Sequence, residues 1–281
     1  MIDIRLGPWQ ERLRDVPDGS VRLILTSPPY DNARTYEGTQ TEPVDFDELA
    51  RFALRVLCPG GVLAMVLDGA VNDGEQSVTP YRVICEWAAM PGWRFRQLLI
   101  YGRAGVPGRF PGGFRKDHEP ILYFVRDGAD PVHEPTRIAL RAAFTARARH
   151  GRSRGGSTAS NRTIVERASE FDVKLPGSVW SYGVVSGLTD NSPSTGHPAT
   201  FAEAFAVDAV KVWSNPGDLV CDPFSGSGTV AKVCRDLDRS FVGAERVPLY
   251  HEMSLRRLDP THISEERAAE SVGPLFGRQT A

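Results

Sequence analysis

Apolar positions along this chain fall into short runs separated by glycine, proline and polar turns. Val21-Arg22-Leu23-Ile24-Leu25-Thr26 is rich in β-formers and stops at Ser27-Pro28-Pro29, which predicts a buried strand running straight into a rigid loop. Phe46, Leu49, Ala53, Val56 and Leu57 recur at helical spacing, and Pro59-Gly60-Gly61 is expected to end that helix. Val62 to Leu67 reads as the next strand, Tyr81 to Met90 as a helix, and Phe95 to Tyr101 and Ile121 to Val125 as further strands. The pattern resumes with a helix from about Phe201 to Trp213, a strand at Leu219-Val220-Cys221, a Gly-rich loop and another helix. A strand from Ser240 to Ala244 and a helix from Pro248 to Arg257 follow. This alternation predicts an α/β fold with a mostly parallel sheet covered by helices, and residues 219–257 read as a β-loop-α-β-α module of nucleotide-binding type. There is no internal repeat, and a tail from about Glu265 is expected to be poorly ordered.

The chain has 281 residues and 41% hydrophobic content, enough for one large α/β domain with an insertion or for two small domains. No apolar run approaches the roughly 20 residues needed to span a bilayer and no apolar signal segment opens the chain, so a cytoplasmic protein without a membrane partner is expected. Cys58, Cys85, Cys221 and Cys234 are scattered, which argues against a zinc site and a disulfide framework and reads as buried small hydrophobes. The six histidines show no metal-ligand spacing, and no metal is expected.

Charge changes the picture at one place. Between Arg137 and Arg167 stand eight Arg and one Glu, a net of +7, which leaves −9 for the rest of a chain whose total is −2. Such a stretch on an acidic body reads either as a local surface that meets a polyanion or as a solvated loop; Gly151 to Ser160 is itself loop-like in composition.

Two segments carry candidate chemistry. Asp222-Pro223-Phe224-Ser225-Gly226-Ser227-Gly228-Thr229 sits between a predicted strand and a predicted helix. There Gly226 and Gly228 let the backbone turn tightly and approach a ligand, while the helix presents free amides. Glu245 ends the next strand, where an acidic side chain bonds ribose hydroxyls in nucleotide-binding units. Ser27-Pro28-Pro29-Tyr30 is the second segment. Its prolines fix the backbone and remove two donors, leaving carbonyls free to accept. An exocyclic amino group conjugated to a base ring is a poor nucleophile. Acceptors such as the Ser27 hydroxyl and the Pro28 carbonyl could turn its lone pair toward a sulfonium methyl, with Tyr30 stacked on the base.

With these residues the sequence resembles the amino-group DNA methyltransferases, in the class whose catalytic motif precedes the cofactor motif. Thr26 to Tyr30 is similar to the (D/N/S)PP(Y/F/W) motif, and Asp222 to Thr229 to DPFxGSGT. Glu245 with Tyr250, His197-Pro198, and His118-Glu119 before Ile121 to Phe124 match further family segments in the family's order. The resemblance implies an S-adenosylmethionine (AdoMet)-dependent, Rossmann-like methyltransferase fold with an inserted target-recognition region. Residues 1–127 would be the catalytic half, 128–196 the recognition region, 197–264 the AdoMet-binding half and 265–281 a disordered tail. Arg147, Arg149, Arg152, Arg154 and Arg162 fall in the recognition region, where Arg can bond phosphates or read guanine. Family members often carry Gly-Asp before the catalytic strand, close to the cofactor adenine. This chain has Gly7-Pro8-Trp9, so the adenine contact is unassigned.

The expected function is methyl transfer from AdoMet to adenine N6 in double-stranded DNA by a homodimer, with one nucleotide extruded into the Ser27 to Tyr30 pocket. Cytosine N4 is the nearest alternative. An RNA or protein-glutamine methyltransferase is disfavoured by the Arg-rich insertion, a dehydrogenase by the unexplained Ser27 to Tyr30 loop, and a silent DNA-binding regulator by the intact motifs.

Overall fold

A computed structural model describes residues 1–29, 43–72, 75–104, 117–134, 177–183 and 202–259. Their strands are β1 (Ile2–Leu6), β2 (Val21–Thr26), β3 (Leu57–Val66), β4 (Val71–Asn72), β5 (Glu75–Gln76), β6 (Trp93–Ala104), β7 (His118–Arg126), β8 (Val179–Gly183), β9 (Leu219–Asp222) and β10 (Ser240–Glu245). The helices are α1 (Trp9–Arg12), α2 (Phe46–Val56), α3 (Thr79–Ala89), α4 (Glu203–Trp213), α5 (Thr229–Asp236) and α6 (Pro248–Leu258). Eight strands form one sheet in the order β1-β10-β9-β2-β3-β7-β6-β8, and β4 and β5 form a separate hairpin. Within the main sheet only β7 runs against its neighbours, pairing antiparallel with β3 and β6. The α/β fold and its mostly parallel sheet are therefore as the hydrophobic pattern predicts.

Both faces of the sheet are buried, which is why its central strands read as unbroken apolar runs rather than alternating ones. On β2, Leu23 and Leu25 point to the face covered by α4 and α5, where Phe205, Val210, Trp213 and Val230 are buried. Ile24 points to the opposite face, against Leu49, Phe52, Val56 and Trp87 of α2 and α3. Helix α2 begins where Asp45 accepts a 2.9 Å bond from the Glu48 amide, a capping pattern visible in the sequence.

Some expectations differ from the structure. The strand after α2 begins at Leu57, so Pro59-Gly60-Gly61 lies inside β3 instead of ending a helix; Gly60 takes a φ of 72°, and the β2–β3 register shifts between Val21 and Leu23. β1, α1, β8 and the β4–β5 hairpin add elements that the pattern did not mark. β8 falls within 128–196 yet belongs to the main sheet, paired with Ile100–Ala104 of β6 and anchored where the Tyr182 hydroxyl donates to Asp208 of α4 at 2.8 Å. Of the cysteines, Cys221 and Cys234 are buried, but Cys58 is half-buried and Cys85 exposed, so the buried reading holds for two of the four. No helix is long and apolar enough to cross a membrane, and no cluster with metal-ligating composition occurs, among the described residues.

Candidate functional site

Strand order locates the site. β9 leads through α5 toward β10 on one side, and β2 leads through α2 toward β3 on the other, with α5 and α2 on opposite faces. The carboxyl ends of β9 and β2 thus form a topological switch point, where a crevice opens in sheets of this kind. Asp222 ends β9 and Thr26 ends β2, and the buried Thr26 hydroxyl donates to Asp222 Oδ1 at 2.6 Å. Residues 196 apart in sequence are thereby fixed side by side, Thr26 directly before one candidate motif and Asp222 as the first residue of the other.

A cavity of about 590 Å³ lies at this end of the sheet. Ser27 and Pro29 line one part of it, whereas the Pro28 ring is buried in the body of the protein. Asp222, Pro223, Phe224, Ser225, Gly226, Ser227 and Thr229 line another, together with Glu245. Most of the expected site residues are therefore brought to one cavity. Tyr30, His197 and the Arg147, Arg149, Arg152, Arg154 and Arg162 group lie outside the described residues.

The Gly-rich loop is held by the strands beside it. Ser225 N–H donates to the Ala244 carbonyl at 2.9 Å, and Gly226 N–H donates to Glu245 Oε2 at 2.7 Å. The other oxygen of Glu245 accepts from Val247 N–H at 2.8 Å. Glu245 is thus a brace for the loop as well as a cavity wall, and each carboxylate oxygen keeps capacity for a further donor. Gly226 and Gly228 have φ of 51° and 77°, the left-handed region that glycine enters without cost. At Gly228 the close approach is to helix α6: an added Cβ would stand 2.7 Å from Ser254 Cβ.

Burial sets the electrostatics. It pushes the Asp222 carboxyl up to about 7, with the Glu245 charge adding in the same direction, while the bonds from Thr26 and from Phe224 N–H at 3.0 Å pull it down. Glu245 is also raised by burial, opposed by its two backbone bonds.

Several lining residues carry no signal in the two motifs. Gly7, Pro8, Trp9 and Gln10 form a wall of the cavity, and Gly7 N–H docks on the Glu245 carbonyl at 2.8 Å. The buried Trp9 ring packs 5.1 Å from Phe52 and meets Phe224 edge-on at 6.4 Å. The alternation Ile2, Ile4, Leu6 before Gly7 is a period-2 strand signal and could have located this wall. Asp68, buried just past the carboxyl end of β3, accepts from Gly69 N–H at 2.7 Å and from Gln76 at 3.1 Å.

A family model described as DNA methylase matches residues 21–256, spanning both candidate motifs. The chain is 27% identical over 263 residues to the orphan methyltransferase M.BamHII of Bacillus amyloliquefaciens, covering 90% of this chain and 94% of that protein. It is 28% identical over 285 residues to the DNA adenine methyltransferase YhdJ of Escherichia coli K12, covering 98% and 87%. Among solved structures, the complex of M1.HpyAVI with SAM is similar in fold, with a TM-score of 0.60 at 20% identity over 92% of this chain and all of that one.

Proposed function

We propose that this chain, which belongs to the N6/N4 DNA methylase family, methylates adenine N6 in double-stranded DNA, with the two motifs joined by the Thr26–Asp222 bond as its working centre. That bond is the observation that carries the reading: it holds a loop suited to an amino group and a loop suited to a nucleoside on one cavity.

The cavity fits AdoMet in size and in chemistry. Its volume lies within the roughly 300–1,000 Å³ range of small-ligand sites. The buried Ser225 hydroxyl on its lining has no hydrogen-bond partner among the described residues, and a polar ligand would satisfy it. Ser225, Gly226, Ser227 and Thr229 would hold the cofactor along the loop, Glu245 its ribose hydroxyls, and Asp222, Pro223, Phe224 and Gly228 would shape the loop itself. The wall formed by Pro8, Trp9 and Gln10 takes the place of the missing Gly-Asp pair beside the cofactor adenine. When bound, AdoMet supplies an electrophilic methyl group on its sulfonium.

What the chain supplies is orientation. Ser27 stands on the cavity at the end of β2, where its hydroxyl and the Pro28 carbonyl can accept from the target amino group and direct its nitrogen lone pair inward. Tyr30 stacks on the extruded base. Residues 128–196 contribute recognition outside β8, and the +7 stretch, with Arg147, Arg149, Arg152, Arg154 and Arg162, meets the phosphates. The likeness to an E. coli DNA adenine methyltransferase supports adenine as the target.

The test is to incubate duplex DNA with the purified chain and AdoMet, digest to nucleosides and measure their masses. N6-methyladenine is expected, and it should be lost with Ser27→Ala and with Tyr30→Ala. N4-methylcytosine without N6-methyladenine would overturn the base, and neither product on any DNA would overturn the proposed reaction.

A further inference from the structure

Arg257, in the last turn of α6, is a cation buried behind the cofactor loop; its side chain is only 8% exposed. A buried guanidinium must be compensated, and the partners of this one are informative. Nη2 donates to Glu203 Oε2 at 3.2 Å. Nη1 donates to the Thr229 hydroxyl at 3.0 Å and makes a longer contact of 3.4 Å with the Ser227 hydroxyl. Glu203 is shared, because its other oxygen accepts from Lys232 at 2.6 Å. Lys232 and Arg235 in turn contact Asp236. Arg257 therefore divides one carboxylate with a lysine and turns its other nitrogen toward the two hydroxyls of the loop.

Those hydroxyls flank Gly228 at the start of α5, and both residues line the cavity, whereas Arg257 does not. A hydroxyl has one hydrogen to give and two lone pairs. With a lone pair occupied by a guanidinium N–H, each hydroxyl retains its hydrogen for an acceptor, and no other partner for either is present among the described residues. The guanidinium charge and the α5 N-terminus both favour a negative acceptor there. On the AdoMet reading above, the ligand has one anionic group, the carboxylate of its amino-acid arm.

The geometry points to Arg257 as a positioning residue for that carboxylate: from behind the loop it turns Thr229 and Ser227 into donors facing the amino-acid end of the cofactor. This inference rests on the cofactor reading and concerns the role of Arg257 behind the loop.

Calorimetry on the full chain with two probes tests it. S-adenosylhomocysteine carries the amino-acid arm; 5′-methylthioadenosine keeps the nucleoside and thioether but lacks the arm. Losing a charge-assisted pair of donors, Arg257→Met should bind S-adenosylhomocysteine about tenfold or more weakly. Affinity for methylthioadenosine should be unchanged. Equal loss for both ligands, or no loss for either, would overturn the assignment. If Arg257→Met does not fold, Thr229→Val makes the same comparison with the guanidinium in place: selective loss supports the inference, equal or absent loss overturns it. A wild-type chain that binds neither probe refutes the cofactor reading itself, an outcome distinct from the others.

Discussion

Replacing Thr26 by valine would keep the shape of a fully buried side chain and delete only the hydroxyl that Asp222 accepts from at 2.6 Å. Folding raises the Asp222 carboxyl from 3.8 to about 7. In that interval the folded chain holds a proton that the unfolded chain has released, so stability falls as pH rises from about 4 to about 7 and the full penalty remains above. The Thr26 bond favours the ionised form. Without it the folded pKa climbs further, and the falling window extends to higher pH. The bond is worth about 1.5–3 kcal/mol to a charged acceptor and about 0.5–1.5 kcal/mol to a neutral one. Thr26→Val should therefore cost roughly twice as much stability at pH 8.5 as at pH 5. Urea unfolding at the two pH values measures this directly, provided the slope with denaturant is unchanged. In an Asp222→Asn background the pH dependence of the cost should vanish. A Thr26→Val penalty that is the same at both pH values would refute the assignment of the raised carboxyl to Asp222 and of the bond as its counterweight.

Other variants probe the rest of the centre. Gly228→Ala puts a side chain at a φ of 77° and a Cβ 2.7 Å from Ser254, so a loss of about 2–4 kcal/mol is expected by chemical unfolding, partly restored by Ser254→Gly. Glu245→Ala removes the acceptor for Gly226 and Val247 N–H, and AdoMet affinity measured by calorimetry should fall about tenfold or more. Changing Arg147, Arg149, Arg152 and Arg154 together to Gln should flatten the log-log dependence of DNA affinity on salt, by about 0.9 for each phosphate that is no longer neutralised. An unchanged slope would return that stretch to a solvated loop.

The central part of the fold was legible because β2, β3, β7 and β9 are buried on both faces and write their hydrophobicity as continuous runs. Peripheral elements were less so. β1 has only five residues and includes Asp3 and Arg5, and its partner β10 begins at Ser240, far beyond any local pattern. The Pro59-Gly60-Gly61 turn chemistry was real, but it makes an irregular strand start, since Gly60 fits closely against the backbone of Asp130. In the site, the motif residues could be picked from their letters. The Trp9 wall left only the short period-2 signal of residues 2–6, and the Thr26–Asp222 bond and the Arg257 contacts left none, because each depends on which elements meet.

The outermost strand, β1, carries a further meaning. Just before it the Met1 carbonyl accepts from Phe241 N–H at 2.9 Å, and within it the Ile4 carbonyl meets a ring nitrogen of His251 in α6 at 3.0 Å. The first and last described elements therefore touch. A variant with Asp259 joined to Met1 by a linker and the chain opened between Glu134 and Gly177 would retain every strand pairing of the main sheet while presenting the Asp222 motif ahead of Ser27. In such a variant the two loops would be synthesised in the reverse order, and the Thr26–Asp222 bond between them is expected to be kept.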